Sequence, residues 1–231
     1  MEQSFRVEEI KGRNTFSYLL DELSVIYSIG VKNRVDISSK DLLHRAYSIL
    51  FHGLKPLDHY QDKSQTLIQF HKHLDGLNQE LSNQLPTYHA YFIKDYSGLD
   101  TIKFMHSSFV SGKSSMLGHY FRHLYQCVKF VVEQDEAFLC YQTKREYLKI
   151  LRAQLSNHEQ ALLFYNWLAD FGGNWESDDN KFFSDYRMIH NLDQELILSD
   201  FNLTDIFNLN SKPTYRKLSG KADDFLFEFQ G

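Results

Sequence analysis

Five residues stand between Arg152 and His158, and six between Arg45 and His52. At such spacings an imidazole can move a proton while a guanidinium steadies the phosphate attacked by an RNA 2′-hydroxyl. Nine arginines and 11 histidines yield about one such pair by composition alone, so position has to decide between them. Arg152 ends one helical pattern and His158 falls in the first turn of the next, where imidazole and backbone amides could face one anion. The competing reading has Arg152 neutralise a helix C-terminus and leaves His158 on the surface.

Two further patterns suggest chemistry and then lose it. His119 and His123 have the i, i+4 spacing of a metal pair, but Tyr120 and Phe121 replace the Glu-x of H-E-x-x-H, so no metal site is expected. Gly112-Lys113-Ser114 ends like a phosphate-binding loop, yet Ser107 stands where the first glycine of G-x-x-x-x-G-K-[ST] belongs. The triplet instead predicts a helix entry capped by Ser114 or Ser115. Neither Cys127 nor Cys140 has a nucleophile's setting, and no cofactor motif occurs.

These residues need helices to position them. Phe16, Leu19, Leu20, Leu23, Ile26 and Tyr27 repeat at three- and four-residue steps, with Gly30 as the expected stop. Ser38 and Asp41 have capping-box spacing ahead of Leu42, Leu43, Ala46, Tyr47, Leu50 and Phe51, and Gly53 and Pro56 follow. Lys63 to Leu85 continues the pattern up to Pro86. TYHAYFI and TIKFM predict a short hairpin or an irregular crossing near residues 87–110. Helical periods return through Leu117, Tyr120, Phe121, Leu124, Val128 and Val131, then over Thr143 to Leu155. Ser156-Asn157-His158-Glu159 is a capping box opening a helix expected to stop at Gly172-Gly173, and a last helix is expected over Asp179 to Leu192.

The fold class expected is therefore mainly α, with about seven helices. Residues 1–207 read as a single helical domain with layers at 12–86 and 110–207, and 208–231 as a loosely ordered tail unless FLFEF docks. With 231 residues, 42% of them hydrophobic, the chain can bury a substantial core. Its polar N-terminus is no signal peptide and no long apolar run occurs, so a cytoplasmic protein without membrane insertion is expected. A net charge of −5 disfavours a general nucleic-acid coat. Lys103 to Arg152 nevertheless carries eight bases against four acids, and Leu168 to Ile206 nine acids against two bases. Mutually attracting helix faces are the simplest expectation.

Leu117-Gly118-His119-Tyr120-Phe121-Arg122-His123-Leu124-Tyr125 with Val128-Lys129-Phe130-Val131 resembles the "GHYFR-LY--LKF" signature of phage abortive infection proteins of the AbiC type. A second block runs from Tyr147 through Leu151-Arg152-Ala153-Gln154-Leu155-Ser156-Asn157-His158-Glu159 to Leu162-Leu163-Phe164-Tyr165-Asn166, and Gly12-Arg13 with Phe16 resembles the family's "GR--F" opening. The resemblance implies bacterial defence by abortive infection. Many relatives begin with membrane-spanning helices, whereas this chain starts almost directly at Gly12-Arg13, which favours a soluble sensor or effector. It supplies no catalytic residues.

The expected function is thus recognition of a phage or host protein or RNA, without a cofactor, with homo-oligomerisation left open. Arg122, His119, His123 and Lys129 are the candidate binding residues. Arg152 and His158 are the catalytic candidates if the chain is an enzyme, which would then be a ribonuclease of the HEPN kind. A non-catalytic helical adaptor using FLFEF is the other alternative.

Overall fold

α1 (Asn14–Lys32) and α2 (Ser39–His52) pack against each other, and Gly30 makes their approach close. A Cβ on Gly30 would lie 2.5 Å from Cδ1 of Leu42. The helix runs past Gly30 to Lys32, so this glycine is a contact point and not the expected stop. α2 begins as its sequence predicts. Ser38 accepts from the Asp41 amide, and Gly53 closes the other end at φ 83°, the left-handed region that glycine adopts without strain. The computed structural model describes residues 14–59, 64–83, 89–94, 100–105, 112–209 and 224–228. Gly12-Arg13 and most of the tail from Asn210 lie outside the described residues.

α3 (Gln65–Asn83) packs on α1 and contributes Leu67, Phe70 and Leu74 to the core. β1 (His89–Lys94) and β2 (Asp100–Met105) pair antiparallel, in a register that sets Ala90 opposite Phe104 and Phe92 opposite Ile102 along the backbone. β2 lies beside α1.

The signature residues then build α4 (Ser114–Val132), α5 (Tyr141–Arg152) and α6 (Asn157–Leu168). α4 buries Leu117, Phe121, Leu124 and Val128, the apolar stripe of the sequence. Its N-cap is Lys113, with no side-chain hydrogen bond, so neither Ser114 nor Ser115 is the cap. At its other end Lys144 of α5, 4% exposed, donates to the carbonyls of Val132 and Gln134. One lysine thereby satisfies acceptors that the end of α4 leaves open. α6 is buried nearly all round between α1 and α2, and Ser156 and Glu159 complete the capping box from both sides.

α6 ends earlier than Gly172-Gly173. Asp170 takes φ 63°, with the amides of Phe171 and Asp170 bonded to the carbonyls of Asn166 and Trp167, which is a Schellman closure with aspartate in the left-handed position.

The helix expected over Asp179 to Leu192 does not form. Phe182, Phe183, Tyr186 and Ile189 are buried as the pattern requires, but turns carry them. Two features prevent a helix. The Glu176 carboxylate takes the amides of Phe183 and Ser184, and Arg187 sits at φ 59°. The seventh α-helix is instead the short α7 (Leu203–Ile206), capped by Asn202. The fold remains mainly α.

Of the tail, residues 224–228 are docked. Leu226 and Phe227 are fully buried, and Phe227 packs edge-on against Phe207. This is the docking that the sequence reading leaves open for FLFEF, which is used in part as core.

Candidate functional site

The two sequence blocks meet at Glu159. Its carboxylate accepts from the Ser156 amide at 2.7 Å, from the Ser156 hydroxyl at 2.8 Å and from the Tyr120 hydroxyl at 2.7 Å. A buried carboxylate with three donors locks α4 onto the start of α6. Arg122, two residues beyond Tyr120, points away from this lock. It is exposed and makes no hydrogen bond or ion pair among the described residues.

Arg122 lines a groove of about 430 Å³ between α4, the C-terminal end of α2 and the turn after α6. Phe51 and His52 form one wall, Gly118, Phe121, Arg122 and Tyr125 a second, and Asn166 with Phe171 to Trp175 the third. The floor is rigid for identifiable reasons. Asn166 donates to the Tyr47 hydroxyl at 3.0 Å and leaves no room for a Cβ on Gly172, which would fall 2.1 Å from its Oδ1. Burial pushes the Tyr47 phenol well above its ordinary range, so it remains protonated. Tyr125 meets Trp175 edge-on at 5.5 Å, and Phe171 contacts Phe51 and His52 at 5.4 and 5.7 Å. Arg122 and His52 supply the groove's cationic or potentially cationic side chains, both exposed.

The remaining predicted residues disperse. His119 and His123 are exposed on α4 and do not line this groove, and the His123 Nε2 lies 3.7 Å from the Cys127 sulfur. No group of three or more His, Cys, Asp or Glu able to hold a metal occurs among the described residues. Lys129 pairs with Glu133 one turn on, at 3.4 Å.

Arg152 lies elsewhere. Its Nη1 donates to the Arg187 carbonyl at 3.0 Å, and the charges that act on it are Arg145, Asp224, Glu228 and Arg187. His158 is neither among those neighbours nor in the pocket that Arg152 lines. The alternative pair also separates, since His52 faces the groove while Arg45 lies near His71, whose proton affinity burial first and the Arg45 charge second lower.

Sequence reasoning missed three features. Lys144 and Arg187 look like surface cations in the sequence but are buried. Asn166, inside the second block, organises the groove floor through Tyr47 and Gly172. Large apolar side chains at Phe130, Phe138, Tyr147 and Ile150 are exposed, although the helical period alone gives no reason for them to face solvent.

The role of Gly112 is settled by contact. A Cβ there would lie 2.3 Å from the His52 carbonyl carbon and 2.4 Å from the Phe51 oxygen, and the Lys113 amide donates to the Leu50 carbonyl at 3.0 Å. The triplet seats the start of α4 on the end of α2, which aligns two walls of the groove.

Residues 112–197 match the model of a family described as "putative phage abortive infection protein". The match starts at this glycine and covers the two blocks from Leu117 to Val131 and from Tyr147 to Asn166, but not the Gly12-Arg13 opening. Over these residues the chain is similar to that family. No curated protein and no solved structure matches the chain. No helix among the described residues is long and apolar enough to cross a membrane.

Proposed function

We propose that the chain is an anti-phage defence protein that acts by recognising a phage or host macromolecule through the Arg122 groove, and that the macromolecule is a protein. The carrying observation is Arg122 itself. It is a charged member of the family-matched segment left without a structural partner among the described residues, at the rim of a concave, preformed groove with aromatic walls. Such a groove accepts an apolar or aromatic side chain of a partner, while Arg122 pairs with a neighbouring carboxylate or main-chain carbonyl. A tract of RNA would ask for a row of cations beside the stacking surfaces. Here Arg122 and His52 are the basic side chains in the lining.

The reading is tested by plaque counts on a host expressing the chain, against a panel of phages. Arg122→Glu is expected to abolish protection against a phage that the parent blocks, while the purified variant unfolds at the parent temperature. A partner co-purifying with the parent but not with this variant, and resistant to ribonuclease, supports protein recognition; loss of the partner on ribonuclease treatment would replace protein by RNA. Full protection by Arg122→Glu refutes the groove reading.

The ribonuclease reading retains less support. Its two candidates occupy separate surroundings, and Arg152 has turned to a backbone carbonyl. It predicts that His158→Ala, at a half-buried position in the first turn of α6, abolishes protection while the protein stays folded. Recognition by the groove predicts that this variant protects fully.

A further inference from the structure

On the face of α5 away from the Arg122 groove, Arg145, Lys149 and Arg152 line a second pocket of about 360 Å³ with Tyr141, Tyr186, His190 and Asp224. Its charge is unbalanced. Arg145 and the buried Arg187 converge on one carboxylate, Asp224, at 2.6 and 3.2 Å. Lys149 is exposed and has no ion pair among the described residues, and Glu146 is the pocket's other acid. Among the lining residues three cations thus face two carboxylates.

The shortage of negative charge is visible at Arg152. Its Nε is buried without a hydrogen-bond acceptor among the described residues, although its Nη1 is bonded. Burial first and the Arg145 charge second lower its proton affinity, as expected of a guanidinium short of counter-charge. For Asp224 burial pushes the carboxyl up, but the Arg145 hydrogen bond and the charges of Arg187 and Arg145 outweigh it and hold the group below its ordinary value. The place occupied by this carboxylate therefore favours a negative charge.

We propose that this pocket is a binding site for a phosphate group, and that the Asp224 carboxylate is an internal anion occupying part of it. A guanidinium fork matches phosphate as well as carboxylate, and a phosphate brings more charge and more acceptors than one carboxylate can. The bare N–H of Arg152 and the ammonium of Lys149 are the donors available for them. The cavity can hold a phosphate together with a small organic group, and Tyr141 and Tyr186 give that group an aromatic wall. The ligand class is an inorganic phosphate or a small phosphate ester.

Calorimetric titration of the full chain with inorganic phosphate and with adenosine diphosphate tests this. The parent is expected to bind at least one of them. Asp224→Asn, which keeps the shape and removes the competing charge, is expected to bind about tenfold more tightly, the worth of one charge-assisted contact. Arg152→Ala and Lys149→Ala are each expected to weaken binding several-fold, roughly the effect of losing one donor to an anion. Preference for the diphosphate identifies a phosphate ester as the ligand, and equal affinity identifies free phosphate. Melting curves add a readout independent of heat: phosphate should raise the unfolding temperature of Asp224→Asn more than that of the parent, and chloride at equal ionic strength should not. Absence of binding by the parent, or parent-like affinity in both Arg152→Ala and Lys149→Ala, overturns the proposal even if Asp224→Asn fails to fold.

Discussion

Replacing Gly112 by alanine should destabilise the protein, because the added methyl meets backbone on every near side. Its Cβ would sit 2.3 Å from the carbonyl carbon of His52, 2.4 Å from the oxygen of Phe51 and 2.5 Å from the amide nitrogen of Gly53. All three are backbone atoms at the end of α2, so no side-chain rotation relieves the clash. Either α4 or the end of α2 must shift, and overpacking of this kind costs about 1–3 kcal/mol. A shift also loosens the bond from the Lys113 amide to the Leu50 carbonyl, worth about 1 kcal/mol. The sum is about 2–4 kcal/mol, or roughly 4–16 °C in Tm for a chain of this length. Urea denaturation followed by tryptophan fluorescence is the assay, because Trp175 stands in the groove that the contact aligns. Gly76→Ala is the control. Nothing lies within 4 Å of its added Cβ inside α3, so it should gain up to about 1 kcal/mol from helix propensity. If Gly112→Ala is as stable as the parent within about 0.5 kcal/mol, the ordinary range of neutral surface changes, then the close approach is not what requires glycine there.

Tyr120→Phe should cost about 1 kcal/mol by deleting one donor to Glu159, and Glu159→Ala about 2–3 kcal/mol by deleting all three bonds. In denaturation of both and of the double variant, their effects should not add. Phe227→Ala should cost about 3–5 kcal/mol, as for a core aromatic, where a loose tail would give nothing. Acid should release the docked tail in two steps. Burial lowers the proton affinity of His190, against its bond to the Leu226 carbonyl, so the unfolded chain binds the proton more readily and stability falls as pH drops below about 6.5. Asp224, held below its ordinary value, adds a second loss as pH falls below about 3.8. Limited acid proteolysis near residues 224–228 reads both steps, and His190→Asn, which keeps a donor without titrating, should remove only the first.

The parts legible in the sequence are those that local chemistry determines. The Ser38 cap, the Ser156–Glu159 box and the apolar stripe of α4 need only nearest neighbours in the chain. Gly30 and Gly112 were misleading or ambiguous because their reason is tertiary: one faces Leu42, the other the end of α2. The segment from Asp179 to Leu192 shows the same limit. Its periodicity correctly marks the buried residues, yet Glu176 diverts its amides and Arg187 leaves the helical region. Arg145 and Asp224 are 79 residues apart, and nothing local announces their pairing. The charge contrast between residues 103–152 and 168–206 did not foretell it either, because Arg145 meets the tail.

Residue type alone does not separate the structural members of the family-matched segment from the functional ones, but partner and burial do. Gly118 lets the Phe51 ring approach to 3.4 Å of where a Cβ would stand. Tyr120 holds Glu159, Asn166 holds Tyr47, and Lys144 caps α4. Each would be required by the fold even if the protein bound nothing. Arg122 shares a helix and a sequence block with them, and no packing or hydrogen bond among the described residues explains it. An exposed guanidinium contributes little to folding, so replacing it should leave stability within about 0.5 kcal/mol. Among the charged residues of the first block, Arg122 alone joins that freedom to a place in the groove. Loss of defence without loss of stability in an Arg122 variant is therefore the outcome that distinguishes a binding residue from another element of the scaffold.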